Sequence, residues 1–271
     1  MPPQRLVVIG HPVAHSLSPM MQQAALDAAG IAVRYDAVDV RPEGLRDALT
    51  TFVTTGTWGN VTLPHKGGVA SLCALRTPIA ERAGAVNTFW VEEGALHGDN
   101  TDVAGFDAAV RHLLGGISPG LRVGLIGAGG AAAGVAAAVE RWPGASLAVY
   151  ARSAERAHAL QQRFPGLITV APTIEAFLGD LDLVVNATPL GLLEDTFPVA
   201  PAAIAPSTAV LDLAYRPGGT AWVQACRRAG RTADDGLRML VEQGAHAFQR
   251  WFGIEPDRTV MWRALRAAGF P

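Results

Sequence analysis

LRVGLIGAGGAAAGVAAAVERW, residues 121–142, decides the fold. LRVGLIG (121–127) is an apolar run of strand length, and AGGAAAGVAAAVERW (128–142) continues as a helix. Between them the spacing is Gly127-x-Gly129-x-x-Ala132. The first glycine makes the tight turn, and the second lets backbone approach a pyrophosphate. A small third residue packs helix on strand, and the helix N-terminus faces the phosphates. The stretch therefore predicts a parallel α/β unit built around a dinucleotide turn.

The next strand, SLAVYAR (146–152), distinguishes between cofactors. An NAD site wants an acidic residue about 20 positions on, for the ribose hydroxyls. Tyr150-Ala151-Arg152-Ser153 stands there instead, with Arg156 one turn later. A guanidinium suits a 2′-phosphate, which favours NADP. An arginine at a helix N-terminus is unfavourable with the helix dipole, which fits a bound anion. Ser153 reads as the cap of a helix over 153–164. LDLVVNA (181–187) and AVLDLAY (209–215) read as further strands.

The same grammar precedes this unit. LVVIG (6–10), VRYDAVDV (33–40) and WGNVTL (58–63) read as strands, the last feeding a loop that holds Lys66. SPMMQQAALDAAG (18–30) reads as a helix capped by Ser18, started by Pro19 and stopped at Gly30. PEGLRDALTTF (42–52) is helical, and AVNTFWVEEGALHG (85–98) is a hairpin turned at Glu93-Gly94. A helix over 101–116 could bridge two domains, and helices over 234–253 and 257–269 could pack back on the first. The expected class is α/β, with two domains and mostly parallel sheets.

Bulk composition excludes several functions. In 271 residues, 49% are hydrophobic, 17% are charged and the net charge is −2, which marks neither disorder nor a nucleic-acid or anionic-membrane binder. Cys73 and Cys226 lie far apart and form no CxxC, as expected of free thiols in a reducing compartment. The apolar run in MPPQRLVVIG is too short for a signal or a membrane span. A cytoplasmic protein is expected.

Lys66 is the only lysine among the 22 Lys and Arg residues. Arginine keeps its proton and lysine can surrender one, so a lone lysine points to proton transfer. Asparagine is almost as rare, with Asn60, Asn87, Asn100 and Asn186, all in short polar runs of the kind found at strand ends. Three clusters lie where open parallel sheets bind ligands. GHPVAHSLSP (10–19) offers Ser16 and Ser18 as a carboxylate cradle, NVTLPHK (60–66) offers Thr62 and Lys66, and GDNTD (98–102) offers Asn100 and Asp102. Asp102 can orient the Lys66 ammonium, and a substrate hydroxyl between them finds a donor and an acceptor. His15-Ser16 does not make a hydrolase, since adjacent residues rarely meet triad geometry and no GxSxG exists. His11 and His15 flank Pro12 outside any helix, so no metal site is expected.

GHPVAHSLSP, NVTLPHK, GAVNT, GDNTD, GAGGAA, NATPLG, DLAYRPGGT and DGLRMLVEQGAHAFQRW, in this order, resemble the successive motifs of the shikimate dehydrogenases. The resemblance implies NADP-linked reversible reduction of 3-dehydroshikimate to shikimate in aromatic amino-acid biosynthesis. It implies an N-terminal α/β substrate domain (1–102 plus 238–271) and a Rossmann-type NADP-binding domain (103–237), with the active site in a cleft between them. Lys66 and Asp102 match the catalytic pair, and Ser16 and Ser18 the carboxylate-binding serines. Asn60, Thr62, Asn87, Tyr215 and Gln243 match further substrate-binding positions. The implied cofactor set is Gly127, Ala128, Gly129, Gly130, Ala131, Ala151, Arg152, Ser153, Arg156, Asn186, Thr188 and Gly236. Where NADP members of the family carry Asn-Arg-Thr, this chain has Ala151-Arg152-Ser153, which weakens the expected preference for NADP. A quinate/shikimate or aminoshikimate dehydrogenase shares these motifs; a non-catalytic shikimate- or nucleotide-binding regulator on the same fold could lose Lys66 or Asp102 without penalty, and both are present here. The implied partners are small molecules, and the chain is expected to act as a monomer or homodimer.

Overall fold

The computed structural model describes residues 2–270. They fall into two compact units. The first runs up to Gly105 and takes in Leu240–Ala268; the second is Phe106–Met239 with the residues from Gly269.

The first unit contains, in chain order, β1 (Arg5–Gly10), α1 (Ser18–Ala28), β2 (Tyr35–Asp39), α2 (Leu45–Thr55), β3 (Thr57–Val61), α3 (Lys66–Leu72), β4 (Leu75–Arg76), α4 (Pro78–Ala83), β5 (Thr88–Glu92) and β6 (Ala95–Asp99). Its sheet has the order β2-β1-β3-β5-β6-β4. Every pairing is parallel except those of β5, which runs against both β3 and β6. The hairpin turn uses Glu93 at φ 51 and Gly94 at φ 74, the two left-handed positions of a tight primed turn. Because β5 is reversed, its first residues meet the last residues of its neighbours. Asn60 is opposite Thr88, and Thr88 is opposite Asp99. One sheet edge thus collects the carboxyl ends of β1, β3 and β6 and the amino end of β5.

β1 is a near-continuous apolar run because both of its faces are covered. Val7, Ile9, Val61 and Phe89 join Leu45, Leu49 and Phe52 of α2 and Val69 of α3 in one buried cluster. Helix α1 packs against the last helix of the chain, over Arg258–Ala267, and the two bury Met21, Leu26, Met261 and Leu265.

The second unit opens within α5 (Asp102–Leu114) and continues through β7 (Arg122–Ile126), α6 (Gly130–Val139), β8 (Ser146–Tyr150), α7 (Ala154–Arg163), β9 (Ile168–Val170), α8 (Ile174–Phe177), β10 (Leu183–Asn186), β11 (Ala209–Asp212), α9 (Ala221–Arg228) and β12 (Ala233–Asp234). The chain then re-enters the first unit within α10 (Leu237–Phe252) and adds α11 (Arg258–Ala267). The second sheet is wholly parallel in the order β12-β11-β10-β7-β8-β9. The order reverses between β7 and β10, the place where such sheets bind nucleotides. Its core gathers Ile126, Phe177, Val184, Val210, Trp222 and Cys226. Both cysteines are free and buried. Among the described residues no helix is long and apolar enough to cross a membrane.

Two local expectations are corrected. Ser18 is the first helical residue of α1 and not its cap; Leu17 holds that position without a side-chain cap. Ser16 Oγ instead accepts from the Ser18 amide at 3.3 Å. Lys66 is not in a loop but opens α3.

Phe89 is fully buried and stacks on Phe52, with ring centroids 6.0 Å apart. Phe89→Ala should cost about 3–5 kcal/mol of stability in urea unfolding. A loss below about 1 kcal/mol would contradict this placement of the core.

Candidate functional site

The reversed β5 gives the site in the first unit its geometry. Lys66 Nζ donates to Asp102 Oδ2 at 2.5 Å, with side-chain exposures of 12% and 6%. Asn87 Nδ2 lies 2.9 Å from Asp102 Oδ1, 2.9 Å from Thr101 Oγ1 and 3.1 Å from Gln243 Oε1. Gln243, on α10, also donates to the Leu240 carbonyl. Four side chains from α3, the start of β5, the start of α5 and α10 therefore converge on one carboxylate and one amide. The corner before Asp102 is pinned as well: Asp99 accepts from Thr77, from the Asn100 amide and from Arg250.

The other expected substrate residues divide. Ser16 is half-buried and Ser18 buried at the start of α1, and Thr62 follows β3. They share the sheet edge, but no hydrogen bond among the described residues joins them to the Lys66 cluster. Asn60 is buried, and both of its amide hydrogens are taken inside the fold: Nδ2 donates to the Asn87 carbonyl at 3.1 Å and to Thr88 Oγ1 at 3.0 Å. Asn100 donates to the Ala85 carbonyl and closes its turn. Tyr215 belongs to the second unit.

In the second unit the turn after β7 presents bare backbone. Gly127 stands at φ 114, and a Cβ there would lie 3.0 Å from the Ala187 oxygen. A Cβ at Gly129 would meet nothing within 4 Å, so the backbone at Gly129 opens onto free space at the start of α6. Ser153 Oγ caps α7 by accepting from the Arg156 amide at 3.3 Å. Arg152 and Arg156 are exposed and have no side-chain partner among the described residues. Ala151 precedes them at the end of β8. These features fit a dinucleotide carrying an extra phosphate.

Asn186, at the end of β10, is fully buried. Its Oδ1 accepts from the Thr188 amide at 3.0 Å and hydroxyl at 2.6 Å, while Nδ2 donates to Asp212 Oδ1 at 2.8 Å. Asp212 also accepts from the Ala214 amide and from Thr220, the cap of α9. At Gly236 a Cβ would stand 2.2 Å from the Leu213 oxygen, so only glycine passes β11 there. Thr88, Thr101 and Asp212 were not singled out by sequence reasoning. Each lies inside a quoted motif, but nothing in the motif distinguishes a polar group that contacts a ligand from one that holds its neighbour. Among the described residues no group of three His, Cys, Asp or Glu could hold a metal.

A family model described as shikimate dehydrogenase substrate binding domain matches residues 8–89, and one described as shikimate 5′-dehydrogenase C-terminal domain matches residues 236–266. A shikimate dehydrogenase (NADP(+)) of Rubrobacter xylanophilus is 43% identical over 272 residues, covering 97% of this chain and 95% of the relative. The crystal structure of shikimate dehydrogenase from Aquifex aeolicus superposes with a TM-score of 0.90 at 32% identity, covering 97% and 98% of the two chains. The shikimate 5-dehydrogenase of Thermus thermophilus, in complex with NADP(H) and shikimate, gives 0.87 at 38% identity, covering 97% and 99%.

Burial pushes the Asp212 carboxyl up to about 6, against the hydrogen bonds of Thr220, Asn186 and Ala214 that lower it. A carboxyl raised in the folded state binds its proton more tightly there than in the unfolded chain. Its contribution is therefore present at low pH and is lost as pH rises from about 4 through about 6. Asp212→Asn removes this pH-dependent contribution. Between pH 4 and pH 7 the stability difference should move in the variant's favour by up to about 3 kcal/mol. An unchanged difference in urea unfolding would contradict the buried, raised carboxyl.

Proposed function

This chain belongs to the shikimate dehydrogenase family, and from that premise we propose that it catalyses the NADP-linked, reversible reduction of 3-dehydroshikimate to shikimate. One observation carries the chemistry: the only lysine of the chain sits 2.5 Å from a buried aspartate at the sheet edge. The Lys66 ammonium, oriented by Asp102, gives a proton to the oxygen on which charge develops, and takes it back in reverse. Ser16 and Ser18 hold the substrate carboxylate and fix the ring face, an orientation effect. Thr62, Asn87 and Gln243 contact ring hydroxyls. Tyr215 is assigned to the same substrate. Asn60 acts through Asn87, since its own donors are spent. The residues up to Asp102 with the last two helices make the substrate domain, and the parallel sheet of the second unit makes the nucleotide domain.

Gly127, Ala128, Gly129, Gly130 and Ala131 hold the pyrophosphate, and Ala151, Arg152, Ser153 and Arg156 hold the 2′-phosphate. Asn186, Thr188 and Gly236 line the reactive half of the dinucleotide. When bound, the dinucleotide supplies the hydride. We take the enzyme to be cytoplasmic, a monomer or homodimer, with two small molecules as partners and neither nucleic acid nor membrane.

Lys66→Ala should lower kcat about a thousandfold or more with cofactor binding unchanged. Lys66→Arg should not rescue it, because a guanidinium keeps its proton. Near-full turnover in either variant, followed at 340 nm, would sink the proton-transfer role. Arg152→Ala should cut the preference for NADP over NAD about 10- to 100-fold. An unchanged preference would remove Arg152 from the phosphate site.

A further inference from the structure

We propose that Thr88 is a positioning residue, the middle link of a buried hydrogen-bond chain from Tyr35 that aims proton donors at Asp102. The proposal rests on the reading of Lys66 and Asp102 just given. Tyr35 O–H donates to Asn60 Oδ1 at 2.8 Å. Asn60 Nδ2 donates to Thr88 Oγ1, and Thr88 lies 3.1 Å from Asn87 Oδ1. Asn87 Nδ2 then donates to Asp102 Oδ1. Tyr35, Asn60, Asn87, Thr88 and Asp102 are all buried.

The directions on either side of Thr88 are dictated by groups that have no choice. The Asn87 carbonyl can only accept, so it takes the amide nitrogen of Asn60 and leaves Asn60 Oδ1 to Tyr35. The Thr101 backbone N–H can only donate, so it takes Asn87 Oδ1 at 2.7 Å and leaves Nδ2 to the carboxylate. Thr88 Oγ1 accepts a hydrogen bond from Asn60 and has one hydrogen of its own, within reach of Asn87 Oδ1 at 3.1 Å and of Thr101 Oγ1 at 3.0 Å; Thr101 Oγ1 itself accepts from Asn87, so either contact ties Thr88 to the amide that faces Asp102. Burial raises the Tyr35 phenol well above its ordinary value, so the chain begins on a hydroxyl that keeps its proton. Hydrogen bonds aligned in this way reinforce one another in a low dielectric. Their combined dipole ends on Asp102 and remains when Lys66 has given up its proton and can no longer balance that charge.

The test compares Thr88→Val, which keeps the shape and removes the hydroxyl, with Thr88→Ser, which restores it. Tyr35→Phe and Lys66→Ala serve as companions. In Thr88→Val, kcat should fall about 10- to 100-fold, with KM for shikimate and for NADP each within about twofold of the parent. Thr88→Ser should recover most of kcat. If Thr88→Val does not fold, Tyr35→Phe decides, with a fall of about threefold to tenfold in kcat at unchanged KM. Full kcat in folded Thr88→Val, or in Tyr35→Phe, overturns the proposal. So does an equal loss in Thr88→Ser, which would mark a packing role. If Lys66→Ala itself turns over normally, the underlying reading fails instead, and the two failures are distinguished.

Discussion

A carboxylate taken out of water must be paired and hydrogen-bonded or its burial is prohibitively costly. Asp102 meets that demand with partners far away in sequence: Lys66, 36 residues before it, and Asn87, 15 before it. Only a sheet in which β5 runs against its neighbours brings these residues to one edge. The reversed hairpin is therefore a functional feature as much as a topological one. It places the start of β5 beside the ends of β3 and β6, and Gln243 of α10 completes the group from the far end of the chain.

The second unit follows a different physical logic. Its turn after β7 relies on the absence of side chains, at Gly127 for the turn itself and at Gly129 for open backbone. Around it, charge is handled in two ways. Arg152 and Arg156 stay exposed, available to an anion, while Asp212 is sealed among Asn186, Thr220 and the Ala214 amide. The sealed carboxyl ties the ends of β10 and β11 to the cap of α9, so the loop carrying Thr188 is held by the fold itself.

Much of this was legible from local pattern. The strand–turn–helix at 121–142 and the hairpin at Glu93-Gly94 depend on short-range rules that a sequence displays. The lone lysine beside Asp102 was legible because scarcity made it stand out. The short elements β4, α4, β9, α8 and β12 were not, since two to six residues carry too little periodicity to separate from loop. The role of Asn60 was hidden for another reason. Whether an asparagine at a strand end faces a ligand or its neighbours depends on register, and Asn60 stands opposite Thr88 only because of the pairing between β3 and β5.

The most direct measurement is a set of initial rates, with shikimate and quinate each tried against NADP and NAD, read at 340 nm. Fast turnover with shikimate and NADP and slow turnover with the other three pairs is the expected result. Absence of turnover with every pair would contradict it, and a preference for quinate or for NAD would contradict the assignment of substrate or cofactor.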